Sequence, residues 1–403
     1  MLASGGLRAV YQPIVDLDTQ TPVAYEALAR GPVGSPLESP AALFGQAAQA
    51  GLTGELDRAA RATAVAGALA AGLRPPHTLF LNVEPSAVGG DEPLLSNQGD
   101  LAAGRLRVVV EFTERALAAR PAEVLAAVGW LRRRGCGIAL DDVGIDERSL
   151  ALMPFLSPDV IKLDMSLIQE PRTSRATARV LNAVAAEAER SGAVLLAEGI
   201  ETDAHLARAR AVGATLGQGW LFGRPGALPA TGEAASGAAI PLRPEAPGSD
   251  LTPFELIADR RRLRRGDKRL LLALSLQLEA EAAALGGETV VLATFQDNRF
   301  FTPATRVRYA RLAESAALVG ALGHGLAGEP GPGIRGADLG SDEALRGEWD
   351  VAVIGPHFAG AFVARDLGDQ GADGDRRFEF FVTYERELVV AAARTLMARI
   401  VAA

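Results

Sequence analysis

Eight short apolar runs punctuate roughly the first 225 residues, and seven of them carry an acid, an amide or a lysine toward their carboxyl end. The runs are AVYQPIVDL (9–17), PVAYEALAR (22–30), TLFLNVE (78–84), LRVVVEFTE (106–114), CGIALDD (136–142), DVIKLD (159–164), AVLLAEG (193–199) and ATLGQGW (214–220). Several are continuously apolar rather than alternating, the pattern of strands covered on both faces of a parallel sheet. Amphipathic helical stretches separate them, such as 122–135 and 175–192, the latter stopped at Gly192. Eight strands with intervening helices over this length predict an α/β fold of the TIM-like (β/α)8 barrel type. The rival, a doubly wound open sheet, lacks its G-x-G-x-x-G turn after the first run.

In such a barrel the carboxyl ends of the strands share one rim. Here that rim would gather Glu26, Asn82, Glu111, Asp141, Lys162, Glu198 and Gln218. Any one of them alone reads as a loop residue or helix cap. Together, several carboxylates within a few ångström repel strongly; one pair at ~4 Å costs roughly 4 kcal/mol at an effective dielectric of ~20. Divalent cations relieve this, and an all-oxygen donor set favours Mg²⁺, Mn²⁺ or Ca²⁺ over zinc. Two such ions ~3.5–4 Å apart make a phosphodiester-hydrolysing centre.

Composition narrows the alternatives. The formal net charge of −8 argues against binding a nucleic-acid polymer. One cysteine, Cys136, excludes an internal disulfide framework and a cysteine-rich zinc site. No apolar run reaches a membrane span, and the opening residues do not read as a secretion signal, so a cytoplasmic protein is expected. The four histidines show no ligand spacing. Lysine occurs at two positions, Lys162 and Lys268, in an arginine-rich chain. Both are singled out, because a compact ammonium that can lose its proton is not everywhere replaceable by a planar guanidinium.

The runs YQPIVDL, YEALAR, LNV, EFTE, LDD, IKLD, LLAEGIE and GQGWLFGRP, in this order, resemble the EAL domain, a barrel family that hydrolyses the bacterial second messenger cyclic di-GMP. The resemblance covers about residues 7–226. It implies metal ligation by Glu26, Asn82, Glu111 and Asp141, with Asp141 bridging to a second ion that Asp142 also holds. It implies that Lys162 orients the attacking water, that Glu198 tunes this lysine and helps proton transfer, and that Gln218 supports a water beside the ions. Gln12, Leu28 and Arg30 would contact the substrate, Arg30 through a phosphate oxygen, and Glu114 would brace the loop after Asp142. The cofactors would be two divalent ions, Mg²⁺ or Mn²⁺, the product linear pGpG, and the assembly a homodimer.

The chain departs from the family pattern after Asp142. Val143 replaces a phenylalanine, and Ile145, Asp146, Glu147 and Arg148 replace a Thr-Gly-Tyr-Ser segment, while Gly144, Ser149 and Leu150 are kept. Gly31 stands where the family commonly has tryptophan. Two readings follow: a phosphodiesterase, or a catalytically degenerate EAL domain acting as a cyclic di-GMP receptor or interaction module. A scaffold in which neither domain takes a small ligand is a third.

Residues 227–252 have the Pro/Gly/Ala/Ser composition of a linker. Beyond them, 253–403 reads as a second, smaller α/β domain. Its expected elements are helices over 254–285 broken at Gly266-Asp267, strands at 289–296, 349–356 and 378–384, a helix over about 303–322 and a closing helix over 385–402. The run TFQDNRFFTPATRVRYARLA (294–313) with GHGL after it resembles the DICT domain, a sensory module, which implies an unidentified small-molecule or protein signal. Arg299, Arg306, Arg308 and Tyr309 are candidate signal-site residues, against a solvated helix face with a half-buried tyrosine. The basic run RRRLRRGDKR (260–269) reads as a grip for an anionic partner, or as a helix terminus or interdomain contact.

Overall fold

The computed structural model describes residues 6–84, 104–169, 174–229, 239–243, 251–340, 343–369 and 372–401, apart from the side chains of Glu114 and residues 147–149. The chain divides into two compact units, one built on a closed barrel and the other on an open sheet.

The barrel strands are β1 (Arg8–Asp16), β2 (Pro22–Arg30), β3 (Thr78–Asn82), β4 (Arg107–Thr113), β5 (Gly137–Val143), β6 (Val160–Leu163), β7 (Val194–Ala197) and β8 (Leu216–Gln218). They close in sequence order. From β2 to β8 the pairing is parallel, as the apolar runs predict. β1 differs: it runs antiparallel to both β2 and β8. The cause is local. Asp16 Oδ1 accepts from the backbone of Asp18 (3.1 Å) and Thr19 (2.8 Å), closing a tight turn, and so short a connection joins only antiparallel strands. The register therefore sets Gln12 opposite Glu26 in mid-strand.

The barrel floor is closed by a segment whose composition reads as linker. Ile240 is 3 % exposed and packs with Ile14, Val23, Phe80, Val109, Val160 and Leu196. Arg107 donates to the Ile240 carbonyl (2.5 Å), and Arg243 N donates to Asp159 Oδ1 (2.8 Å). Asp159 is itself buried and paired with Arg132. Ile240→Ala leaves a cavity at the floor and is expected to cost about 2–5 kcal/mol, read as a lower urea midpoint at unchanged slope. A midpoint equal to wild type would mean that the segment is not part of the barrel core.

The second unit holds a seven-stranded sheet in the order β12-β11-β10-β13-β14-β15-β9. Its strands are β9 (Arg264–Asp267), β10 (Val290–Asp297), β11 (Leu318–His324), β12 (Arg335–Asp338), β13 (Glu348–Ile354), β14 (Ala359–Asp366) and β15 (Arg377–Thr383). The pairs β10–β11 and β11–β12 are parallel and the rest antiparallel. Several sequence expectations are corrected here. The helix from Pro303 ends at Ala313, and LVGALGH is strand β11. A short apolar run does not by itself separate buried strand from buried helix. The basic run contributes edge strand β9, where Arg265 pairs with Glu379 (2.7 Å); charged side chains on an edge discourage further strand addition. Tyr309 is fully buried, not half-buried: it packs edge-on to Phe295 and Phe301 and donates to Glu279 (3.0 Å).

Besides Glu279, two more acids are buried among the described residues of this unit. Asp350 accepts from Thr294 Oγ1 (3.2 Å), and Glu348 meets Thr252, the Phe254 N–H (3.0 Å) and Arg365 (3.1 Å). Burial pushes both carboxyls above their usual range, and for Asp350 the Glu348 charge adds to it. A raised folded-state pKa means that the native chain holds more protons than the unfolded one, so stability falls as pH rises through that window. Asp350→Asn removes one such group. Its melting temperature is expected to drop less than that of wild type as pH rises above the ordinary carboxylate range; parallel curves would contradict this.

Candidate functional site

The seven sequence candidates do converge on the barrel rim, Glu26 from the middle of β2 and the others from at or near their strands' carboxyl ends. The Lys162 ammonium lies at the centre, 2.8 Å from Glu111, 2.9 Å from Asp141, 2.9 Å from Glu198 and 3.7 Å from Glu26. Asn82 Nδ2 donates to Glu26 Oε1 (2.9 Å), and Gln218 Nε2 donates to Glu26 Oε2 (2.7 Å) and Gln12 Oε1 (3.1 Å). Gln12 in turn donates to the Gly223 carbonyl (3.2 Å). Glu26, Glu111, Lys162 and Gln218 are all buried.

Consecutive strand residues point to opposite faces, yet Asp141 and Asp142 both reach this rim. The β5–β6 register explains it. Leu140 pairs with Ile161 and Val143 with Leu163, so the two aspartates sit in an irregularity of the ladder. Asp142 takes φ 60°, a left-handed conformation uncommon outside glycine. As a result, carboxylate oxygens of Asp141, Asp142 and Glu198 lie within 4.8 Å of one another.

The electrostatics are unbalanced. Four carboxylates (Glu26, Glu111, Asp141 and Glu198) surround one ammonium, and a fifth, Asp142, stands beside Asp141 and Glu198. Burial raises Glu111 well above the usual carboxylate range, and Glu26 adds to this. Burial pushes Glu198 up to about 7. Asp142 is raised by burial and then by Asp141. Burial alone would lower Lys162, but Asp141, Glu111, Glu198 and Glu26 outweigh it and hold the ammonium well above its ordinary pKa. Glu111 Oε2 and Gln218 Oε1 are buried and accept no hydrogen bond. A hard, oxygen-seeking cation fits this set on both counts: it supplies the missing charge and uses the orphaned oxygens.

The remaining sequence candidates are placed less centrally. Leu28 is half-buried in β2. Arg30 donates to the carbonyl of Ala29 (2.8 Å), and burial, then Arg8, lowers its pKa. The side chain of Glu114 lies outside the described residues. Gly31 has a steric reason here: a Cβ there would lie 2.1 Å from the Leu37 carbonyl oxygen. The loop after it folds back on β2, with Gly31 N donating to Glu38 O (3.2 Å) and Glu38 paired with Arg8 (3.2 Å). Gly219 is equally constrained, since a Cβ would meet the Ile200 backbone at 2.0 Å. Sequence reading missed Asp57. It is buried, paired with Arg61, and accepts from Glu84 N (3.2 Å), fixing the chain just past Asn82. An acid on an amphipathic helix gives no sign of such a contact.

An eight-stranded barrel with a buried, carboxylate-rich rim around one lysine belongs to the class of α/β barrels whose chemistry sits at the strand ends. More narrowly, the chain belongs to the EAL domain family, whose model matches residues 1–225. Residues 257–367 match the DICT domain, described as a sensory domain in diguanylate cyclases and two-component systems. Cyclic di-GMP phosphodiesterase RocR of Pseudomonas aeruginosa is 34 % identical over 156 residues, 38 % of this chain and 40 % of the relative. Cyclic di-GMP phosphodiesterase NbdA of the same organism is 34 % identical over 128 residues, 32 % of this chain and 16 % of the relative. A manganese/cyclic di-GMP complex of Klebsiella pneumoniae BlrP1 aligns with 29 % identity and a TM-score of 0.50, covering 55 % of this chain and 56 % of that one. The chain thus spans less than two thirds of the length of each of these proteins. Among the described residues no helix is long and apolar enough to cross a membrane.

Proposed function

We propose that the barrel hydrolyses cyclic di-GMP to linear pGpG with the help of two divalent ions, Mg²⁺ or Mn²⁺, and that the second unit regulates this activity in bacterial second-messenger signalling. The observation that carries the reading is the meeting of four carboxylates around Lys162, with Asp142 beside them and buried oxygens left unpartnered. The relatives named as cyclic di-GMP phosphodiesterases point the same way. The domain assignment that goes with it is a barrel over 1–226, a linker over 227–252 whose residues 240–243 return to the barrel, and a sensory domain over 253–403, in a cytoplasmic protein.

Glu26, Asn82, Glu111, Asp141 and Asp142 would hold the ions. Bound divalent cations would neutralise the phosphodiester and lower the pKa of a water molecule. Lys162, kept protonated by the acids around it, orients that water by donating a hydrogen bond. Glu198, held 2.9 Å from Lys162, stands beside Asp141 and Asp142 to accept a proton. Gln218 and Gln12 form a polar chain from Glu26 to the Gly223 carbonyl that fixes one wall of the rim. Arg30 is offered as the phosphate reader, after exchanging its present bond to Ala29.

The test is the purified full chain with cyclic di-GMP and Mg²⁺ or Mn²⁺, with pGpG followed by chromatography. Turnover supports the reading. Binding without turnover supports the receptor reading instead, which the rewritten sequence at 145–148 favours. Neither binding nor turnover would end both.

A further inference from the structure

A cavity of about 550 Å³ opens in the second unit, between the helix Lys268–Leu285, the end of β10 and the turn Asn298–Phe300. Its size falls in the range of small-molecule sites, roughly 300–1,000 Å³. Two features define its chemistry. Its body is apolar and aromatic, formed by Phe295, Phe300, Trp349 and Phe378 with Leu272 and Leu276. Its charged lining is cationic: Lys268, Arg299, Arg308 and Arg376 against Glu279 and Asp373.

The cations are arranged, not scattered. Lys268, Arg299 and Arg376 stand 4.7, 4.8 and 5.1 Å from the centroid of the same ring, Phe300. Three like charges over one ring repel one another, and the ring's face offsets only part of that. Acids outside the lining hold two of them from behind: Asp297 lies 3.8 Å from Arg299, and Asp366 pairs with Arg376. Asp373 bridges Lys268 (2.5 Å) and Arg376 (3.3 Å) while staying largely exposed. Glu279 is committed to Arg308 and Tyr309. The lining thus turns more positive than negative charge toward an aromatic chamber. Lys268 is moreover one of the two lysines in the chain, the other being at the barrel centre.

We propose that this cavity binds a small organic anion with a flat apolar ring system, its ring among Phe295, Trp349 and Phe378 and its negative group beside Lys268, Arg299 and Arg376. A bare inorganic anion would leave the aromatic chamber unfilled. An uncharged ring would make no use of the lining's excess of cations over acids. The inference is independent of whether the barrel turns over its substrate, because its readout is binding.

The test uses the full chain and three probes: 8-anilino-1-naphthalenesulfonate (ring and charge), N-phenyl-1-naphthylamine (ring alone) and inorganic phosphate (charge alone). Calorimetry and probe fluorescence are expected to show one site for the sulfonate, with the other two bound at least about tenfold more weakly. Two variants at exposed lining positions locate the site. Arg299→Glu reverses a charge and Leu272→Trp fills the mouth; each is expected to weaken sulfonate binding about tenfold or more. Equal binding of the charged and uncharged rings, or sulfonate binding untouched by both variants, overturns the proposal. Weaker binding in both variants, with melting curves like wild type, supports it.

Discussion

Glu26→Ala protein, supplied with Mg²⁺ or Mn²⁺, is expected to lose at least about 10²–10³-fold in kcat for cyclic di-GMP hydrolysis. Glu26 is buried and sits where three neighbours depend on it. Asn82 and Gln218 each donate to one of its oxygens, and Lys162 lies 3.7 Å away. Removing the carboxylate deletes a candidate ligand and frees two amides that orient the rim. Binding of the nucleotide should fall less than turnover, because Arg30 and the rim loops are untouched. A melting curve checks that the variant is folded. Wild-type kcat in a folded Glu26→Ala protein would remove the barrel rim from the reaction altogether.

Lys162→Met tests the electrostatics of the same site without any turnover. The lysine is 1 % exposed and lies within 4 Å of Glu26, Glu111, Asp141 and Glu198. Taking away one partner of a buried ionic cluster costs about 3–5 kcal/mol, since the charges left behind are uncompensated. The variant should therefore unfold at lower urea than wild type in the presence of EDTA. Mn²⁺ should restore much of the loss, because a divalent ion binding only the folded chain stabilises it by mass action. An unchanged midpoint in EDTA would mean that the acids share protons well enough to need no cation. A Mn²⁺-insensitive midpoint would speak against ion binding at this rim.

Much of the first unit is legible in the sequence because its signals are local. Each barrel strand is a short apolar run, and the observed bounds lie within a few residues of those runs. The polar residue at each strand end is visible too, and one barrel geometry brings all of them together. The direction of β1 is not carried by its composition. It follows from the turn closed by Asp16, a five-residue connection too short for a crossover. In the second unit β9 leaves no mark in the sequence, since an edge strand carrying arginines has no apolar pattern. β11 is not separable from the helix before it by pattern, since its run from Leu318 to Gly323 is apolar throughout.

The order of the amino acids determined which side chains this protein has for chemistry and which stretches of backbone would become strands. It did so because burial on both faces and the strand-end position leave a mark within a few residues. Only the tertiary structure decided how Asp141 and Asp142 come to face one rim, through a break in the β5–β6 register and a left-handed aspartate. Only there does Ile240 become the floor of a barrel, and only there do Lys268, Arg299 and Arg376, separated by up to a hundred residues or so, surround one phenylalanine. These contacts join residues distant in the chain. The energy that selects them is Coulombic and steric at close range, and no neighbouring residue records it.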